Sequence, residues 1–255
     1  MEVMGGSEEA VFPAASIAAV LVLAVIILAI ALLAPDPLLA GRVLGFAAFL
    51  GALSAAVVSF RVLAIRGPAM DPLAGIALML AVPGFALAAL GWLLDAIGFD
   101  AAVGPIALSK LLWYAASLVI MWALYELGRA ARWLAGGLRP WEVAIAITVP
   151  AVYVAPFAVL LWRIQAPLTR IAETLASAAF LTLSLLALLP IARRRFSWGL
   201  ALMCSGSAVF IVAVPLVPLV TNVPLSNALY ALSFVMAATG LHIYGVENPI
   251  VKGGT

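Results

Sequence analysis

The stretch that decides the fold is FPAASIAAVLVLAVIILAIALLA, residues 12 to 34. It contains no charged side chain. As a helix it is long enough to cross a hydrocarbon core of roughly 30 Å. A helix on the surface of a soluble protein would instead keep one polar face. The stretch therefore predicts a helix that spans a lipid bilayer.

The rest of the chain repeats this pattern. Of its 255 residues, 67% are hydrophobic and only 9% are charged, whereas soluble domains are roughly half apolar and a quarter charged. The apolar windows are continuous, without the alternation that a membrane β-barrel requires, so they favour helices. We predict an all-α polytopic transmembrane bundle of about eight spans: 12–34, 43–65, 73–98, 103–125, 142–163, 169–191, 197–219 and 225–246.

The segments between these spans are short. The longest, 126–140, is too small to bury a core of its own, so we expect one integral membrane domain, 1–255, without a soluble domain. Short recurring runs favour an internal repeat of two parallel four-helix halves, 12–125 and 142–246. AAFL at 47–50 recurs at 178–181, and AVP at 81–83 recurs at 213–215. Chance similarity between Ala/Leu/Val-rich helices is the alternative explanation.

The basic residues predict the orientation. With eight spans, nine of the thirteen Lys and Arg residues fall on one side, and the positive-inside rule places that side and both termini in the cytoplasm. The acidic start MEVMGGSEEA lacks the basic region of a signal peptide, so we expect the first span to be retained. The net charge of +2 thus reflects topology and indicates no nucleic-acid partner. The nine residues are Arg61, Arg66, Arg129, Arg132, Arg139, Arg193, Arg194, Arg195 and Lys252.

The chain offers few residues for chemistry. Cys204 and His242 are its only cysteine and histidine, whereas disulfides, haem and metal sites need several such residues. No Ser-His-Asp set, zinc-protease motif or phosphate-binding loop appears. We therefore expect no catalytic residues, no metal and no cofactor held within the chain, with a quinone or a lipid as the ligand classes left open.

Ionisable residues inside the membrane are the best pointers to a site, because an unpaired charge there costs at least about 2.5 kcal/mol. Lys110 is placed to pair with Asp95 or Asp100, or to extend its ammonium to the lipid headgroups. Glu126 and Glu173 each lie three residues from an arginine, and that spacing permits ordinary ion pairs. These five residues are the candidate binding residues, with structural roles as the alternative.

The prolines within the spans bring a transporter into consideration. Pro83, Pro150, Pro156, Pro215 and Pro218 fall inside the third, fifth and seventh spans, where each can kink a helix. Broken helices in corresponding positions of two halves are typical of a transport site at the bilayer midplane. A small-molecule transporter therefore stays among the alternatives.

Composition also bears on the source of the chain. Asn and Gln together total four residues, and such scarcity is typical of thermophiles. A GC-rich genome would explain the abundance of Arg and Ala equally well. We expect a prokaryotic cell membrane as the location.

Four short runs carry a likeness to a known family: KLLW at 110–113, YELGR at 125–129, RRR at 193–195 and IYG at 243–245. With the layout from 61 to 251, they resemble the seven-helix membrane sensor region of prokaryotic histidine kinases. That resemblance implies a sensor that works through a signalling domain. Because the sequence ends at Thr255, we expect that domain on a separate partner chain.

The eight-span layout is also similar to the haem-free anchor subunits of dimethyl-sulfoxide-reductase-type and polysulfide-reductase-type complexes. That likeness implies a quinone-interacting anchor, with Lys110, Asp95 and Asp100 as its polar side chains. Across the alternatives we predict a non-catalytic membrane module that acts through partner proteins, as a sensor, an anchor or an accessory subunit. Its expected partners are membrane lipids and other membrane or membrane-attached subunits.

Overall fold

The structure is a computed structural model. It describes residues 6–99, 101–103, 106–194, 196–219 and 223–247, of which 6–13 and 215–219 are described by their backbone only. Over these residues the chain is an all-α bundle, which confirms the predicted fold class. Its helices are α1 (Gly6–Leu33), α2 (Pro37–Arg66), α3 (Pro72–Ala96), α4 (Leu108–Leu134), α5 (Pro140–Arg163), α6 (Leu168–Ala192), α7 (Trp198–Leu219) and α8 (Val223–Glu247).

The helices have the dimensions of membrane spans. Seven are long and apolar enough to cross a bilayer, and the described side chains of α7 give a shorter apolar stretch, Trp198–Val214. Pro83, Pro150 and Pro156 lie inside α3 and α5, which continue past them as helices. The chain is therefore a multi-pass membrane protein.

Capping residues set where helices begin. The side chain of Asp36 accepts hydrogen bonds from the backbone N–H groups of Leu38 and Leu39 at 2.9 and 3.1 Å, and Pro37 occupies the first helical position. Asp71 caps α3 in the same way. Because Asp36 and Pro37 form this start signal, α2 begins at Pro37 and not at the predicted position 43.

The largest departure from the predicted spans is α4. It begins at Leu108 and not at 103, because residues 102–107 include a short hairpin in which Ala102 pairs with Ala107. It also continues past 125 to Leu134. The prediction of a long connection over 126–140 is therefore wrong, since only residues 135–139 separate α4 from α5.

Six of the helices form a closed ring. In the order α2, α3, α4, α6, α7 and α8, each packs against the next, and α8 packs against α2. Helix α1 lies outside the ring against α8, and α5 lies outside against α6. Small residues let the helices approach closely. A β-carbon on Gly51 of α2, for example, would lie 3.0 Å from the β-carbon of Phe234 in α8.

Hydrogen bonds between helix ends define two faces of the bundle. On one face, Arg193 after α6 donates to the carbonyl oxygen of Ala135 after α4 at 2.6 Å. We name it the basic face, because the helix ends and connections that meet there carry most of the arginines. On the opposite face, the Asn227 side chain near the start of α8 donates to the carbonyl oxygen of Gly41 in α2 at 2.9 Å.

The order of the helices in the ring can be compared with the recurring runs in the sequence. Helices α2, α3 and α4 are followed around it, in the same direction, by α6, α7 and α8. The recurring tetrapeptides lie on α2 and α6, and the recurring AVP runs lie on α3 and α7. The outer helices are not equivalent, because α1 packs on α8 whereas α5 packs on α6. A tandem origin of the halves 12–125 and 142–246 stays a prediction.

Candidate ligand-binding cavity

The ring of helices encloses a cavity of about 400 Å³. That volume is within the range of small-molecule sites. Its lining residues fall at 85–95 in α3, 110–124 in α4, 170–180 in α6, 203–214 in α7 and 223–237 in α8. In α3, α4, α6 and α8 this is the half nearest the opposite face together with the middle, and in α7 it is the middle of the helix. The described lining therefore extends from the middle of the bundle toward the opposite face, and we name its end nearest that face the rim.

Aromatic side chains from all five lining helices form part of the cavity wall. Five rings, one from each lining helix, follow one another in contact, and we name them the aromatic belt. From α4 through α3, α8 and α7 to α6, successive ring centroids are 4.9, 5.1, 5.5 and 4.9 Å apart. These spacings are typical of favourable ring pairs. The belt consists of Trp113, Trp92, Tyr230, Phe210 and Phe180.

On the side of the basic face, α7 and α8 pack backbone to backbone. A β-carbon on Gly240 would lie 2.7 Å from the carbonyl oxygen of Gly199 and 2.9 Å from the backbone nitrogen of Met203. No side chain fits between two helices at that separation. The two glycines therefore hold α7 and α8 in close contact between the cavity and the basic face.

A charged network lies at the rim of the cavity. Arg170 donates to Glu173 at 3.0 Å, which is the ion pair that their spacing permits. The hydroxyl of Tyr114 donates to the other carboxylate oxygen of Glu173 at 2.6 Å. This second bond joins α4 to its neighbour α6, and no sequence spacing could have predicted it.

Lys110 and Asp95 also line the cavity at its rim. Lys110 is exposed. That exposure is what the alternative requires in which its ammonium extends toward the headgroups. Asp100 lies outside the described residues. The cavity thus brings together three of the candidate residues: Lys110, Asp95 and Glu173.

Glu126, the remaining candidate, lies near the basic face and does not line the cavity. Its carboxylate accepts from Arg129 at 2.9 Å and from the indole N–H of Trp122 at 3.2 Å. Trp122 and Arg129 are one turn away on either side, so the contacts belong to α4 alone. Glu126 stabilises this end of α4 and has no part in the cavity.

Buried polar groups line the cavity. Ser226 is one of them and is only 7% exposed. Trp113 also lines the cavity, and its indole N–H is buried without a hydrogen-bond partner in the part of the chain that the structure describes. Unpaired polar groups in such places are costly. A hydrogen-bonding molecule in the cavity could lower that cost.

Sequence reasoning missed the aromatic belt. Tryptophan near the end of a membrane span is typically an interfacial anchor, and the 70% and 69% exposure of Trp133 and Trp162 fits that role. Trp113 instead packs against Trp92 across the groove that Gly91 leaves in α3. The available signal was the presence of a large ring in the middle of the span or in its half nearest the opposite face in each of the five helices.

Side chains that could bind a metal ion together are scarce among the described residues. No group of three or more His, Cys, Asp or Glu among the described residues could hold a metal ion. Cys204 is buried and carries a free thiol. No family model, curated protein or solved structure matches the chain. Its function therefore has to be argued from the cavity.

Proposed function

We propose that the chain is a non-catalytic membrane sensor module, which binds a small molecule between its helices and acts through a partner protein. The observation that carries this proposal is the cavity of about 400 Å³ with its aromatic belt and few polar groups. Concave, mostly apolar sites with a few convergent polar groups are typical of small-molecule binding. The resemblance to a seven-helix sensor region supports the same assignment.

The cavity residues favour binding over catalysis. Among the described residues that line it there is neither a histidine nor a cysteine. The carboxylate of Glu173 is already engaged by Arg170 and Tyr114. General acid–base or nucleophilic chemistry needs a positioned group that is free to exchange a proton or to attack. A molecule held here is therefore expected to leave unchanged.

Helix α6 provides a route from the cavity to the basic face. At the rim it is joined to α4 by Tyr114 and Glu173, and at its other end Arg193 binds the carbonyl oxygens of Ala135 and Gly137. A molecule that moves α6 relative to α4 at the rim would shift the contacts of Arg193. A partner protein at the basic face would then detect occupancy as a population shift.

A quinone-interacting anchor is the second candidate, because Lys110 and Asp95 lie at the rim of the same cavity. Companions purified with the chain from its own membranes would separate the two, since an anchor would retain electron-transfer subunits. A transporter would need access to both faces in turn. The close contact of Gly199 with Gly240 gives no support to a second opening.

We also propose that the basic face is cytoplasmic in a prokaryotic cell membrane, with both termini on that side. The first prediction follows from it. Reporter fusions after Arg66 and after Arg194 are both expected to report the cytoplasm, and a control fusion after Gln165, between α5 and α6, is expected to report the outside. Two fusions on the basic face that both report outside would reverse the orientation. Disagreement between them would instead change the number of spans.

The second prediction concerns the cavity itself. Ser117 of α4 lines it, whereas its neighbour Leu118 is 66% exposed and faces outward. In Ser117→Phe the larger ring would occupy space that the bound molecule needs. We expect mass spectrometry of organic extracts to detect a small molecule retained by the wild type and by the matched control Leu118→Phe. Ser117→Phe, purified from the same membranes in nanodiscs, should retain less than about a tenth of it.

This experiment has two outcomes that contradict the proposal. The wild type could carry no molecule beyond the nanodisc lipids, or all three proteins could retain the same set of molecules in equal amounts. In either case the cavity would be empty space or lipid-filled packing. The proposal of a small-molecule sensor would then be wrong.

A further inference from the structure

The belt has a geometry that distinguishes among ligands. Each of the five lining helices contributes one ring, and each ring contacts the next, with centroid distances from 4.9 to 5.5 Å. The rings hold one another in place, so they form a wall that is organised before anything binds. A rigid flat molecule can lie against such a wall with little loss of conformational freedom, whereas a flexible chain loses freedom at every bond. The arrangement therefore favours a ring over an acyl chain.

The distribution of charge disfavours an ionised group against the belt. Arg170 and Glu173, which line the cavity, are already paired with each other, and Lys110 and Asp95 lie nearer their helix ends than the belt rings of α4 and α3 do. The five rings of the belt are themselves uncharged. A buried ion without a countercharge is strongly unfavourable. The molecule that enters the belt is therefore uncharged there.

A polar side chain in the cavity specifies the expected ligand further. Ser226, 7% exposed, lines the cavity on the same helix as Tyr230 of the belt. A hydroxyl can both donate and accept a hydrogen bond. We propose that the cavity binds an uncharged molecule built on a planar aromatic ring, which stacks on the aromatic belt and forms a hydrogen bond with Ser226. This inference rests on the proposed function and specifies its ligand class.

The experiment compares 1-naphthol with 1-decanol. Both are uncharged, and both carry ten carbon atoms and one hydroxyl, but only the first is a planar ring. Equilibrium dialysis into nanodiscs that hold the chain, corrected with empty nanodiscs of the same lipid, gives the binding due to the protein. We expect 1-naphthol to bind at least about tenfold more tightly than 1-decanol. Ser117→Phe should abolish this binding, whereas Leu118→Phe should leave it unchanged.

A second pair of variants tests the belt if Ser117→Phe does not fold. Phe210→Leu removes one ring of the belt, whereas Phe60→Leu removes a ring that is 61% exposed on α2. We expect Phe210→Leu to weaken the binding of 1-naphthol by roughly 2- to 12-fold, as is usual for the loss of one aromatic contact. Phe60→Leu should have no effect. Equal effects of the two variants would overturn the role of the belt.

The outcomes separate this inference from the proposed function. If 1-decanol binds as tightly as 1-naphthol in a manner that Ser117→Phe abolishes, the cavity accepts chains, so the ligand class is wrong while the sensor proposal stands. The inference fails in the same way if a native molecule is retained but is charged or lacks a ring. If neither probe binds and no native molecule is retained, both proposals fail together.

Discussion

Replacing Arg193 by methionine is expected to lower the free energy of unfolding by about 3 to 5 kcal/mol. Arg193 contacts the carboxylate of Glu142 at 3.3 Å, and Glu142 is fully buried at the start of α5. The contact lacks hydrogen-bond geometry, so one carboxylate oxygen of Glu142 already has no donor among the described residues. Without Arg193 the buried charge would lose its countercharge. The carbonyl oxygens of Ala135 and Gly137 would each lose a donor as well.

The neighbouring arginine supplies the control. Arg194 is exposed and forms no ion pair among the described residues, so Arg194→Met should change stability by less than about 0.5 kcal/mol. The double variant Arg193→Met with Glu142→Gln should recover part of the loss, because it also removes the stranded charge. Unfolding by SDS in mixed micelles gives all three values. A loss in Arg193→Met no larger than that in Arg194→Met would contradict this account.

The fold could be predicted almost completely from the sequence, because the bilayer sets both the length and the composition of a spanning helix. The errors in the predicted ends of the spans have local causes. The start of α2 depends on the capping side chain of Asp36, and the start of α4 depends on the hairpin that pairs Ala102 with Ala107. Neither feature changes the average hydrophobicity of a window. A hydropathy pattern therefore finds the spans and misplaces some of their ends.

The site was harder to predict, because it depends on which helices are neighbours. Glu173 and Lys110 could be identified as ionisable residues in spans, but the bond from Tyr114 to Glu173 joins residues 59 positions apart. The pair of Arg193 and Glu142 likewise connects α6 to α5. Sequence spacing predicts contacts within one helix. It does not give the order of helices around the ring, on which the belt and both of these contacts depend.

The remaining prediction concerns the contact that closes the ring. Gly240→Ala is expected to lower the free energy of unfolding by about 3 kcal/mol, the upper part of the usual range for an overpacked site. Its β-carbon would lie 2.7 Å from both the carbonyl oxygen of Gly199 and the side chain of Met203. Met203 can rotate away, but backbone atoms can move only if α7 and α8 separate. The effect should therefore extend to the cavity and loosen the binding of 1-naphthol.

A matched glycine and a double variant make this prediction specific. Gly75 lies inside α3, and a β-carbon there would have no neighbouring atom within 4 Å, so Gly75→Ala should stabilise the chain by about 0.5 to 1 kcal/mol through helix propensity alone. Gly199→Ala should destabilise it as Gly240→Ala does, because a β-carbon there would meet the backbone of Gly240 and Tyr244. The two helices need to separate only once, so the loss in the double variant should be clearly smaller than the sum of the single losses. Additive losses would show that the two glycines act at independent places, and equal effects at Gly75 and Gly240 would show that close packing is not the cause.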